Sequence, residues 1–125
     1  MSIGLFLLGA LGGGLGAALR FVVDGAVAQR FGTRFPWGIF IINASGSLLL
    51  GLMTGLAESS PLVPDAVFSA VIGMTGGYTT FSTATIDTVR LIRERRFGSA
   101  LANSLGMLVA TVALAFAGLA LGRAL

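Results

Sequence analysis

The sequence has no cysteine and no histidine, and its eight basic residues are all arginine. Without thiols or imidazoles there are no disulfides, no thiolate chemistry, no histidine general base and none of the commonest transition-metal ligands. Zinc hydrolysis and serine–histidine catalysis are excluded, and no other enzyme reading survives the residue inventory. Charge is equally scarce, at 10% of the chain. A soluble domain carries about 25%. With 55% hydrophobic residues and a mean hydropathy of +0.95, the 125 residues lack the polar surface a water-soluble globule requires. A net charge of +3 leaves nucleic acid as a formal option. The arginines fall at the ends of apolar runs, however, and form no basic face for a duplex.

What is present is a series of apolar runs long enough to cross a bilayer, each near the ~20 residues required. The expected class is an all-α integral membrane protein of four transmembrane helices, about 3–28, 36–57, 66–92 and 98–122, in a single domain. The first run is most apolar from Ile3 to Val23. It lacks the basic start and short core of a signal peptide, so it is expected to remain as a helix. Pro36 suits the first turn of the second helix. Glu58 to Asp65, with Pro61 and Pro64, reads as a loop, and Arg93 to Arg96 as a tight charged one. The 19 glycines sit inside the apolar runs. Small residues recur four apart: Gly9 and Gly13, Gly12 and Gly16, Ser47, Gly51 and Gly55, Gly118 and Gly122. Such spacing marks close-packed helix seams.

Arginine placement predicts an orientation. Arg30, Arg34, Arg93, Arg95 and Arg96 share one side, whereas Glu58, Asp65 and Arg123 lie on the other. The positive-inside rule then puts both termini outside.

Three features carry possible chemistry. Gly73 to Thr83 places two adjacent glycines before a run of hydroxyl residues at membrane depth. It reads either as a broken helix whose freed carbonyls face a small hard cation, or as a kinked helix whose hydroxyls bond back to their own turn. Asn43, between Ile42 and Ala44, is either an anion donor or an interhelical hydrogen bond. Arg20 lies one turn from Asp24 and is placed either in a wet vestibule or in a local ion pair. Asp87 and Arg90 are similarly spaced, and snorkelling explains Arg90.

Gly13-Gly-Leu-Gly-Ala-Ala-Leu-Arg20, Pro36-Trp-Gly38 with Asn43 and Gly46, and Gly76-Gly-Tyr-Thr-Thr-Phe-Ser-Thr83 together resemble the bacterial CrcB/Fluc fluoride channels. The resemblance covers essentially the whole chain. It implies an antiparallel dimer with two narrow pores along the subunit interface, in the bacterial inner membrane. The implied activity is passive export of fluoride, trapped inside after entry as neutral HF. A structural sodium ion at the dimer centre would be held by the backbone carbonyls of Gly76 and Thr79 of each subunit. Asn43 and Phe81 would line the anion path. Fluoride is strongly hydrated, so a dry path must supply donors: the Asn43 N–H and the hydroxyls of Ser82, Thr83 or Thr111. The positive ring edge of Phe81 can approach an anion.

The chain departs from that pattern at five positions. Ala84 replaces a second phenylalanine, Ile39 a threonine, Asn103 a tyrosine, Met107 a serine and Asp87 a glutamate. Ala84, Ile39 and Met107 read as relaxed constraint on one of two pores. Together with the arginine bias, they predict an oppositely oriented paralogue as partner in place of a second copy. Two other readings remain. A proton-coupled multidrug transporter of this size needs a carboxylate within its first helix, where this chain has only Asp24 at the end. The other is a non-conducting structural subunit.

Overall fold

The structure is a computed structural model and describes residues 2–125. Helix α1 spans Ile3–Phe31, α2 Trp37–Ser59, α3 Asp65–Tyr78 and α4 Ser82–Arg93. The last helix, α5, runs over Phe97–Ala124, with a π-helical turn at Ala102–Gly106. No strand occurs among the described residues. Helices α1, α2 and α5 are each long and apolar enough to cross a membrane. The chain is thus a multi-pass membrane protein. The first, second and last helices begin or end one to three residues from the limits read in the sequence.

Local signals set these limits. The Ser2 hydroxyl accepts the Leu5 N–H at 3.1 Å and caps α1. Gly32, at φ 77°, ends it in a conformation that side-chain-bearing residues rarely adopt. Phe35, Trp37 and Phe40 then cluster, with the first two rings 4.7 Å apart, as an aromatic anchor where α2 begins. The two arginine-bearing loops lie together. Arg90 donates to the Thr33 carbonyl at 3.3 Å, and Arg96 donates to that of Arg34. At the other end of α2, Glu58 pairs with Arg123 at 2.6 Å.

Packing relies on backbone approach, because few side chains are buried. Phe21, Leu62 and Phe81 are each more than four-fifths exposed. Helix α1 lies against α3, and a methyl group on Gly12, Gly16, Gly73 or Gly77 would strike a carbonyl of the opposite helix. Helix α2 lies against α5 in the same way, through Gly51, Gly55, Gly118 and Gly122. The contacts are reciprocal: Gly51 meets the Ala115 carbonyl, and Gly118 meets that of Leu48. In lipid there is no hydrophobic gain from pairing helices, so van der Waals contact at this closeness provides the attraction.

Two substitutions test the seams. Gly51→Ala puts a methyl group onto the Ala115 carbonyl, whereas Gly25→Ala meets nothing within 4 Å. Unfolding of the purified protein in detergent is expected to show Gly51→Ala destabilised by about 1–3 kcal/mol, the range for overpacking. Gly25→Ala should be neutral or stabilised by up to ~1 kcal/mol.

Candidate functional site

Between α3 and α4 the chain leaves helical geometry at residues 79–81. Gly76 and Gly77 themselves stay helical, because α3 continues to Tyr78. Gly77 is held there by its close approach to the Gly13 carbonyl. The interruption comes where α2 offers the backbone another partner. Thr80 donates its N–H to Asn43 Oδ1 at 2.8 Å, and its carbonyl accepts from Asn43 Nδ2 at 2.9 Å. A continuous helix would send the Thr80 N–H to the Gly76 carbonyl. One side-chain amide therefore takes both polar groups of one peptide residue. Asn43 and Thr80 are 8% and 9% exposed, so neither group has ready access to water.

Neighbouring residues brace the break. Thr79 donates both its N–H and its hydroxyl to the Thr75 carbonyl, at 3.0 and 2.9 Å. The Thr80 hydroxyl accepts the Thr83 N–H at 3.3 Å, which starts α4 from one residue before its cap. A side chain at Gly46 would strike the Thr79 methyl group, so this glycine lets α2 approach the break. Tyr78 is tied to α2 through its hydroxyl, 3.1 Å from that of Ser45.

An open groove of about 930 Å³ runs along this face, between α2, the α3–α4 break and α5. Asn43, Phe81, Thr111, Gly76 and Thr79 all line it. Phe81 is 86% exposed on the single subunit. Thr111 donates to the Leu108 carbonyl at 3.1 Å, and the Thr75 and Thr88 hydroxyls likewise bond back to their own helices. Such hydroxyls keep lone pairs free, and each can present its hydrogen to a ligand by rotation. Ser82 and Thr83 do not line the groove. Their hydroxyls lie 3.4 Å from that of Thr80, and Thr83 faces a smaller pocket of about 320 Å³ with Asp24, Asp87 and Arg90. Arg20 lies apart from both cavities and donates to the Thr79 carbonyl at 3.4 Å. Its guanidinium is not paired with Asp24.

The second N–H of Asn43 goes to the sulfur of Met107, at 3.2 Å. Met107 belongs to one buried cluster with Ile39, Ile42 and Ala84. Three of the five departures noted in the sequence thus pack together. The residue smaller than expected at 84 and those larger than expected at 39 and 107 meet in one buried cluster. Asn103, 1% exposed, donates to the Ala84 carbonyl and the Thr88 hydroxyl at 3.2 and 2.9 Å. Its Oδ1 has no partner among the described residues.

Of the two carbonyls expected to hold a hard cation, that of Gly76 has lost its helix partner and that of Thr79 already faces a positive charge. The Gly76 carbonyl is released because the Thr80 N–H turns to Asn43, whereas that of Thr79 accepts from the Arg20 guanidinium at 3.4 Å. Among the described residues no group of three carboxylates or other side-chain ligands converges as an alternative metal site. Neutral carbonyl oxygens are a donor set for sodium or similar ions.

The geometry predicts that Asn43→Leu destabilises the protein, contrary to what a simple path-lining role would give. Two buried backbone groups would lose their partners, at a cost of about 2–6 kcal/mol. Asn43→Asp should fold at mildly acid pH. Its neutral acid can donate to the Thr80 carbonyl and accept the Thr80 N–H. That stability should fall as rising pH ionises the acid. Unfolding of both variants as a function of pH checks this.

Comparison with known proteins covers nearly the same span. Residues 7–120 match the family described as CrcB-like protein, Camphor Resistance (CrcB). The Fluoride-specific ion channel FluC 2 of Nitrobacter hamburgensis is 43% identical over 94% of this chain and 96% of its own length. That of Mycolicibacterium paratuberculosis is 48% identical over 87% and 86%. The Fluoride-specific ion channel FluC of Thermus thermophilus is 38% identical over 100% and 98%. Similarity at this level from end to end, over a chain with an asparagine-pinned helix break, means that the chain belongs to the CrcB family.

Proposed function

We propose that the chain is one subunit of a fluoride-selective channel of the bacterial inner membrane, through which fluoride leaves the cytoplasm down its gradient. What carries the reading is near full-length similarity to fluoride-specific channels in a chain whose Asn43 amide sits at a hydroxyl-lined break. Fluoride is small and holds its water tightly, so a narrow path must replace that water with directed donors. The Asn43 N–H is one. The Thr111 hydroxyl, turned from its helix carbonyl, is a second, and the edge of a phenylalanine ring is a third. Ser82 and Thr83 serve at the start of α4, with Thr83 toward the smaller pocket. Arg20 adds positive charge beside the Thr79 carbonyl.

In this reading α3 and α4 together form the third of four crossings, broken at membrane depth. The groove on one subunit is open, and an exposed Phe81 in lipid contributes little alone. An antiparallel second subunit would close the groove and complete two paths. Sodium between the subunits would be held by the Gly76 and Thr79 carbonyls of each. Bound there, it supplies fixed positive charge that offsets part of the cost of bringing an anion into low dielectric. The arginine-rich loops face the cytoplasm, which leaves the termini outside. A chain so biased inserts one way, so the opposite subunit is a paralogue of reversed orientation.

Three outcomes test this. Reporters fused to the C-terminus should give signal from the outer face alone; equal signal from both faces contradicts the fixed orientation. Phe81→Ala should lower fluoride efflux from liposomes by about tenfold or more, corresponding to ~1.4 kcal/mol of lost aromatic contact, without altering subunit unfolding. Asn43→Asp, folded at mildly acid pH, should lose most flux because it no longer offers an N–H. Normal flux in both variants would remove these side chains from the path.

A further inference from the structure

We propose that Met107 is a displaceable acceptor that holds the Asn43 N–H in the empty path and releases it to the arriving anion. The inference rests on the reading of Asn43 as a path residue and goes beyond it by assigning the side chain that competes with the ligand. Asn43 has two N–H groups and one carbonyl oxygen. The oxygen and one N–H are fixed in the paired bonds to Thr80, at 2.8 and 2.9 Å. Breaking that pair exposes two backbone groups at once. The remaining N–H, on the Met107 sulfur at 3.2 Å, is the one that can be given up.

The chemistry of the thioether suits a temporary partner. Sulfur is a weak acceptor, so an anion outcompetes it, yet it is sufficient to keep a buried N–H from being orphaned. Methionine is unbranched with three rotatable bonds, and can withdraw without moving the backbone. Both residues line the groove but are nearly buried, so an anion there reaches the N–H as the sulfur withdraws. The surrounding Ile39, Ile42 and Ala84 offer the sulfur no other hydrogen-bonding partner within their cluster. A hydroxyl at this position would act differently, since it could stay and donate to the anion itself. Met107 therefore sets the fluoride concentration at which the Asn43 position is occupied.

The test compares the parent with Met107→Leu, which keeps the volume and removes the acceptor. Both are reconstituted in lipid in the dimer that conducts, with the paralogue added where the chain alone does not. The side-chain amide signal of Asn43, labelled with nitrogen-15, is followed during a titration with sodium fluoride. In Met107→Leu the half-saturating fluoride concentration should fall about two- to fivefold, the factor equivalent to one weak hydrogen bond. Efflux at low fluoride should rise with it. An unchanged midpoint, with the parent amide still responding to fluoride, reduces Met107 to packing and overturns the inference alone. An amide that ignores fluoride in both proteins overturns the path reading, and this inference with it. Should leucine disturb packing, replacing the methionines by norleucine exchanges only sulfur for a methylene and gives the same comparison.

Discussion

The pair of hydrogen bonds between the Asn43 amide and the Thr80 peptide groups is the interaction on which the rest of the arrangement depends. A backbone break in a bilayer is tolerated only where protein or an ion satisfies the freed groups. An asparagine carries one donor and one acceptor side by side, as a peptide group does, so it can substitute for the helix partners that Thr80 gives up. With the N–H diverted, the Gly76 carbonyl becomes available and Phe81 projects from the chain. The Thr80 hydroxyl is then free to start α4. In the proposed channel, the freed carbonyl and the projecting ring would each serve the path for ions.

Close helix seams make that interaction possible. The α1–α3 and α2–α5 pairs are joined through glycines that bring backbone to backbone. Between them remains the groove lined by Asn43, Thr79 and Thr111. A single subunit therefore consists of two tight helix pairs beside an open, mostly apolar groove that carries a few polar groups.

Much of this was legible in the sequence because it depends on composition and period. The length of the apolar runs located α1, α2 and α5. The four-residue spacing of Gly51 with Gly55 and of Gly118 with Gly122 marked the seam that joins α2 to α5. The site was less legible. Gly76-Gly77 suggested a break at the glycines, but Gly77 is used for packing on Gly13, and the interruption falls where Asn43 reaches the backbone. That position depends on the register of α2 against α3, which no local pattern encodes. Thr80 was hidden among its neighbouring hydroxyls for the same reason. That Ala84, Ile39 and Met107 pack together was not legible, because they are 45 and 23 residues apart along the chain, counted from Ala84. In space they share one cluster, and Met107 reaches Asn43.

The central claim is that the Asn43 side chain has replaced a turn of helix. It is tested most directly by solid-state magnetic resonance of the protein in lipid, with nitrogen-15 in the Asn43 amide and carbon-13 at the Thr80 carbonyl. The account predicts strong dipolar coupling between them, as expected for an Nδ2 to oxygen distance of 2.9 Å. No coupling, with the Thr80 N–H instead bonded to the Gly76 carbonyl as in a continuous helix, would contradict it.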